Sequence, residues 1–208
     1  MSNFNHIASI YDMLARLIFG SNLYNAKIHF LNVIKHGSNI LIIGGGTGDI
    51  LNKLLTSTQN TVVDFIEPSQ GMIKNARQNL LPEFVNRVNF INDNHNIITH
   101  HKQYDVVMAF FIFDIFKQDE ALLISKKIND SLKENGLWLF ADFFYTENYF
   151  QRCLIWLMYR FFKITTGISA NKLPDYDVIF KQLKVALTHE KYFMKGLVKA
   201  RVYKKETG

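Results

Sequence analysis

An aliphatic strand runs straight into a cluster of glycines. In Asn39-Ile-Leu-Ile-Ile-Gly-Gly-Gly-Thr-Gly-Asp49, the side chains Ile40 to Ile43 stand directly before Gly44, Gly45, Gly46 and Gly48, and a helical apolar pattern (Ile50, Leu51, Leu54, Leu55) opens immediately afterwards. Strand, tight turn and helix start in so short a space form the first half of a nucleotide-binding βαβ unit. Glycines reach backbone angles closed to other residues and let a ligand touch the main chain. The helix that follows offers unpaired N–H groups and a partial positive charge, which suit a carboxylate or phosphate. The spacing narrows the choice. A dinucleotide fingerprint reads G-x-G-x-x-G, whereas Gly44, Gly46 and Gly48 read G-x-G-x-G, with Asp49 in the place of the third glycine.

The pattern continues along the chain. Val62-Val-Asp-Phe-Ile66 reads as a second strand and ends in Glu67, about twenty residues past the glycines, where an acidic side chain accepts from both hydroxyls of a ribose. Pro68-Ser69 turns the chain, and Gly71-Met72-Ile73 leads into a polar helix through Leu80. Val88–Ile91 reads as strand 3, closing on Asn92-Asp93-Asn94; Tyr104–Phe110 reads as strand 4, and Gly136–Ala141 as strand 5. Helices between them argue a parallel, doubly wound sheet that binds its ligand outside the carboxyl ends of the strands. At the end, His189–Met194 and Leu197–Tyr203 read as a hairpin around Lys195-Gly196. The expected fold is α/β: a Rossmann-like, doubly wound, seven-stranded sheet, mostly parallel, with an antiparallel C-terminal hairpin strand.

The glycine loop, the string Glu67-Pro-Ser-x-x-Met72-Ile73, the Tyr104-Asp-Val-Val segment and Leu132-Lys-Glu-Asn-Gly136 together resemble the class I S-adenosylmethionine-dependent methyltransferases, over roughly residues 4 to 205. The opening Phe4-Asn-His-Ile-Ala-Ser-Ile-Tyr11-Asp12 and the Gly45–Asp49 run look most like the ubiquinone and menaquinone C-methyltransferases. The resemblance implies S-adenosylmethionine as cofactor. Its methionine end would lie on Gly44, Gly45, Gly46, Thr47, Gly48 and Asp49, and its ribose on Glu67, followed by Pro68, Ser69 and Met72. Asp93 or Asn94 would meet the adenine, Phe110 would stand at the end of strand 4, and Tyr11 would cover the whole from a lid. The chain departs from the family at Ile42, where an acidic residue two before the first glycine usually helps fix the cofactor's ammonium. That departure keeps a second reading open, a non-catalytic binding module.

One domain of 208 residues is expected: lid helices over 1–37, a cofactor core over 38–146, a helical cap over 147–176 and a closing helix and hairpin over 177–208. Within the lid, residues 5–19 and 22–36 both read as helices. The lone Cys153, and an N-terminus without a basic region followed by an apolar one, point to the cytoplasm. The charge of +6 raises the question of RNA, but the lysines are scattered and no Asn-Pro-Pro-Tyr motif follows strand 4, which argues against a nucleic-acid partner. His95, His100 and His101 have no Cys partner and no i, i+4 pairing, so no metal site is expected.

The methyl donor is already activated, so the protein has mainly to align a nucleophile and exclude water. An acceptor of phenol type would also profit from a base. Asp114, inside Phe110-Phe-Ile-Phe-Asp-Ile-Phe116, and Asp142, after strand 5, are the candidates, with His6 a weaker third. Residues after Asp114 read helical, so it equally suits a helix N-cap; Asp142 equally suits a strand end. Residues 147–164 carry Tyr149, Phe150, Leu154, Ile155, Trp156, Leu157 and Tyr159 around much of one helix, with Arg152, Arg160 and Lys163 opposite. That helix reads as core, as a dimer contact, as the roof of a pocket for a small apolar or amphipathic acceptor, or as a peripheral membrane contact.

Overall fold

The computed structural model describes residues 19–94, 98, 103–165, 170 and 172–207. Tyr11, His6 and the opening segment Phe4–Asp12 lie outside the described residues, as do His95, His100 and His101. Seven strands form one sheet: β1 (Asn39–Ile43), β2 (Val62–Ile66), β3 (Val88–Ile91), β4 (Tyr104–Phe110), β5 (Leu132–Phe143), β6 (Val185–Phe193) and β7 (Val198–Lys205), in the order β3-β2-β1-β4-β5-β7-β6. Pairing is parallel from β3 through β5 and antiparallel for β5 with β7 and β7 with β6. The order reverses between β1 and β4, the position where doubly wound sheets bind ligands.

Both faces of the sheet are covered, which is why β1 reads as an unbroken aliphatic run. Successive side chains point to opposite faces. Leu41 and Ile43 join Val107, Trp138 and Phe140 under α4 (Gln118–Ser131) and α6 (Tyr176–Gln182). Ile40 and Ile42 join Val63, Phe65 and Met108 under α2 (Leu51–Ser57) and α3 (Gln70–Asn79). A third cluster ties Phe143, Val198 and Ala200 to Ile155 and Tyr159 of α5 (Tyr149–Thr165) and to Phe19.

Several boundaries differ from the sequence reading. The helix expected over 22–36 ends early: α1 spans Asn22–Ile28 and is followed by a 3₁₀ turn at Leu31–Val33. Strand 5 was expected to begin at Gly136, yet β5 begins at Leu132, and its polar start carries Asn135 at φ +60° with a register break opposite Tyr104 and Val106. The helix expected straight after Asp114 is displaced. Phe113–Ile115 form a single 3₁₀ turn, and α4 begins at Gln118 with Lys117 as N-cap, so Asp114 caps no helix.

Candidate functional site

The glycine loop is folded back on β2. Gly44 and Gly45 both donate to Ile66 O (2.9 and 3.3 Å), and Gly48 donates to Gly45 O (3.1 Å) before α2 begins. Packing demands a glycine at Gly45 and Gly48, and at Gly44 a side chain would have to displace the tip of Ile112. A Cβ on Gly44 would stand 2.8 Å from Ile112, one on Gly45 2.2 Å from the Phe65 ring, and one on Gly48 2.9 Å from Ala76. Gly46 is different: its φ is +59° and a Cβ there would meet nothing within 4 Å. The space in front of Gly46 is therefore open to a ligand.

Glu67 faces that space. It is only 5% exposed, and its two carboxylate oxygens accept from Gly46 N–H and from Ser69 N–H, each at 2.9 Å. Burial raises its pKa, and the two amide hydrogen bonds hold the rise back. A carboxylate offers about four acceptor positions, so Glu67 retains capacity for two hydroxyl donors after serving the loop. Asn92 donates to the carbonyls of Glu67 (3.1 Å) and Pro68 (2.9 Å), which fixes the strand end. Ser69 Oγ caps α3 by accepting from Met72 N–H at 3.3 Å, and Met72 lies half-buried in its first turn. Beyond β3, Asp93 is half-buried and accepts from Asn94 N–H at 2.7 Å. An open glycine opposite a buried carboxylate that can still accept two hydrogen bonds offers the acceptors that the two hydroxyls of a free ribose require, so the residues present fit such a cofactor.

Other residues singled out in the sequence engage different partners. Asp49 is exposed and forms an ion pair with Lys27 of α1 (3.0 Å), and Thr47 sits half-buried at the loop's tip. Phe110 ends β4 half-buried, packed against two of the three apolar clusters. Ile42 is 3% exposed inside the apolar cluster under α2, so it supplies no charge to the loop. Among the described residues no group of side chains could hold a metal ion.

Asp114 and Asp142 come together beneath the loop after β4. Asp142, fully buried in β5, accepts from Phe113 N–H (3.1 Å) and Phe143 N–H (2.8 Å), which straps that loop to the strand. Asp114 is 4% exposed and its Oδ1 has no hydrogen-bond partner. Burial pushes the Asp114 carboxyl up to about 7. Burial, and then repulsion from Asp114, raise Asp142 well above the usual carboxylate range. Two tyrosines that no sequence motif marked complete the cluster. Tyr159 of α5 donates to Asp114 O at 2.7 Å, and Tyr176 stands near enough to Asp142 for each to shift the other's titration, although its hydroxyl is out of hydrogen-bonding geometry.

Comparison with known proteins agrees with this geometry. The pattern of a family described as a methyltransferase domain matches residues 41–138, from β1 into β5. The chain is 28% identical over 141 residues to malonyl-[acyl-carrier protein] O-methyltransferase 2 of Ilyobacter polytropus, covering 68% of this chain and 52% of that one. It is 30% identical over 150 residues to carboxy-S-adenosyl-L-methionine synthase of Nautilia profundicola, covering 68% and 61%. The chain thus spans between half and two thirds of these relatives' lengths. Its fold is also that of the Burkholderia thailandensis 1,6-didemethyltoxoflavin-N1-methyltransferase, whose structure contains S-adenosylhomocysteine (TM-score 0.71, 11% identity, 99% of this chain and 87% of that one). Glycine loop, strand order and the match over residues 41–138 together make this chain similar to the class I S-adenosylmethionine-dependent methyltransferases, whose Rossmann-like fold it has.

Proposed function

We propose that this chain is an S-adenosylmethionine-dependent methyltransferase that acts on a small apolar or amphipathic acceptor. The observation that carries the reading is the open face of Gly46 set against the buried, only partly engaged Glu67. When bound, the cofactor supplies an activated methyl group. The protein's own work is then to bind, orient and exclude water. Glu67 would hold the ribose, the Gly44–Gly48 main chain would lie against the amino-acid end, and the aromatic helix α5 would shield the acceptor.

The two aspartates divide by their partners. Asp142 spends both oxygens on backbone N–H groups and is a positioning residue for the loop after β4. Asp114, with Oδ1 unspent and its pKa raised by burial, is the one suited to take a proton. Titration calorimetry tests the cofactor half: the chain should bind S-adenosylmethionine, and Glu67→Gln should weaken binding by about tenfold or more, the cost of misdirecting one charge-assisted hydrogen bond. No heat with the wild-type chain at millimolar cofactor defeats the proposal.

A second reading is a binding module that transfers nothing. Ile42 favours it, because the loop then lacks the carboxylate that family members use toward the cofactor's ammonium. Cofactor binding without methyl transfer to any component of a metabolite extract would decide for it.

A further inference from the structure

Against α5 lies a cleft of about 140 Å³, with Tyr145, Ile155, Trp156 and Tyr159 on its apolar side and Arg152 and Lys172 among the residues that line it. It opens at the same end of the sheet as the glycine loop, because Phe144 and Leu197, which also line it, adjoin the carboxyl end of β5 and the paired start of β7. Its size is close to that of a void of roughly 150 Å³ that holds one benzene. No acidic side chain lines it among the described residues. Two buried polar atoms on its walls have no partner, the Thr146 hydroxyl and Gln151 Oε1. The Gln151 amide nitrogen is already spent on Met194 O at 2.7 Å.

We infer that this cleft binds the acceptor as an acid, a carboxylate whose apolar part is about one aromatic ring in size, with Arg152, Lys172 and the Thr146 hydroxyl toward the carboxylate and Gln151 Oε1 receiving a hydroxyl of the ligand. The inference rests on the methyltransferase reading for the word acceptor, but not for binding itself. Two cations with no counter-carboxylate among the described lining residues make the cleft attractive to an anion, and a hydroxyl donor left without a partner costs free energy until one arrives. The aromatic wall takes the ring and keeps bulk water from it. The buried Asp114 stands directly behind the wall, since Tyr159 bridges the two.

The test is a fluorescence titration of the full chain. Trp156 is 58% exposed on the cleft, whereas the second tryptophan, Trp138, is fully buried, so quenching reports the cleft and Trp156→Phe removes it. The probes are 4-hydroxybenzoate, 4-hydroxybenzyl alcohol and 4-hydroxybenzyltrimethylammonium. The carboxylate should bind about tenfold or more tightly than the alcohol, and Arg152→Gln with Lys172→Gln should erase that preference while leaving the alcohol's affinity unchanged. Both cations are exposed, so the variants should fold, as circular dichroism will check. Equal binding of acid and alcohol, tightest binding of the trimethylammonium probe, no saturable quenching by any probe, or an undiminished acid preference in the double variant would each overturn the inference. Glu67→Gln separates the two readings: it should lower cofactor affinity in calorimetry and leave carboxylate quenching intact, because the sites do not share a residue.

Discussion

Substituting the adjacent glycines Gly45 and Gly46 with alanine should break two different things. At Gly45 the new methyl would fall 2.2 Å from two carbons of the Phe65 ring. Carbon atoms settle about 3.5–4 Å apart, so more than an ångström must be recovered. Phe65 cannot swing away, because it is fully buried and packed on Phe90 with ring centroids 5.2 Å apart. Such overpacking costs about 1–3 kcal/mol, or roughly 2–12 °C in midpoint for a chain of this size. At Gly46 the new methyl meets nothing, and only the left-handed backbone at φ +59° charges for it, about 1–2 kcal/mol. Yet on the proposed reading that methyl would enter the space of the ligand. Gly45→Ala should therefore lose stability while keeping most cofactor affinity in the folded fraction, and Gly46→Ala should lose affinity well beyond its loss of stability. Urea unfolding and titration calorimetry on both variants, with Phe65→Leu added to Gly45→Ala, measure this. The double variant should recover stability relative to the sum of the singles. Strict additivity of Gly45→Ala and Phe65→Leu, or wild-type cofactor affinity in Gly46→Ala, would refute the assignment of one glycine to packing and the other to the ligand.

The buried carboxyl pair makes stability depend on pH. Asp114 and Asp142 both have folded pKa values raised above the ordinary 3.8, so the folded chain holds protons the unfolded chain has released. Their stabilising contribution is complete below about pH 4 and fades as pH climbs through 7, by roughly 4 kcal/mol from the Asp114 shift alone. Asp114→Asn should flatten that decline in midpoints measured from pH 4 to 8, and an unchanged slope would count against the pair. Arg201 is 5% exposed at its side chain and bonds Glu190 (2.5 Å), Asp177 (2.6 Å) and the Tyr203 hydroxyl (2.9 Å). Arg201→Leu should cost about 2–4 kcal/mol in urea unfolding by removing the nearest cation from Glu190, which keeps only the Tyr192 hydroxyl and Lys199 at 3.9 Å, and by loosening β6 from β7; a loss under about 1 kcal/mol would show the network to be no more than a surface ion pair.

The parts of this molecule that were legible from sequence are those where one local rule decides. β1 to β4 fall where their apolar runs fall: β1, covered on both faces, is aliphatic in all but its first residue, while β2, β3 and β4 each carry one polar residue (Asp64, Asn89 and Asp105) within an otherwise apolar or aromatic run. Glu67 was legible because its place is set by chain length from the glycines, and the structure puts it against Gly46. The start of β5 was hidden because Lys133, Glu134 and Asn135 are poor strand formers that bulge out between the Leu132–Tyr104 and Leu137–Val106 pairs, with Lys133 tied to Asp105 at 2.8 Å. The turn at Phe113–Ile115 was hidden for the same kind of reason. Its helical-looking residues are pulled into a 3₁₀ turn by the bond from Phe113 N–H to Asp142, a residue 29 positions away.

That bond also explains why the carboxyl pair could be suspected but not assembled from sequence. Asp114 alone is a polar residue in an aromatic run and suits a cap; Asp142 alone suits a strand end. Only the tertiary fold sets them under one roof with Tyr159 and Tyr176, which come from two helices with no common motif. Burial of charge is a property of the neighbourhood, and the neighbourhood is made by segments far apart in the chain. The cleft beside α5 follows the same logic. Arg152 and Lys172 lie about twenty positions apart in the chain, and they become one recognition element only where α5 lies across the ends of β5 and β7. In a sheet of this kind the cofactor end is encoded in short consecutive strings, while the acceptor end is encoded in contacts between insertions. The first can be read from a linear pattern, and the second requires the packed chain.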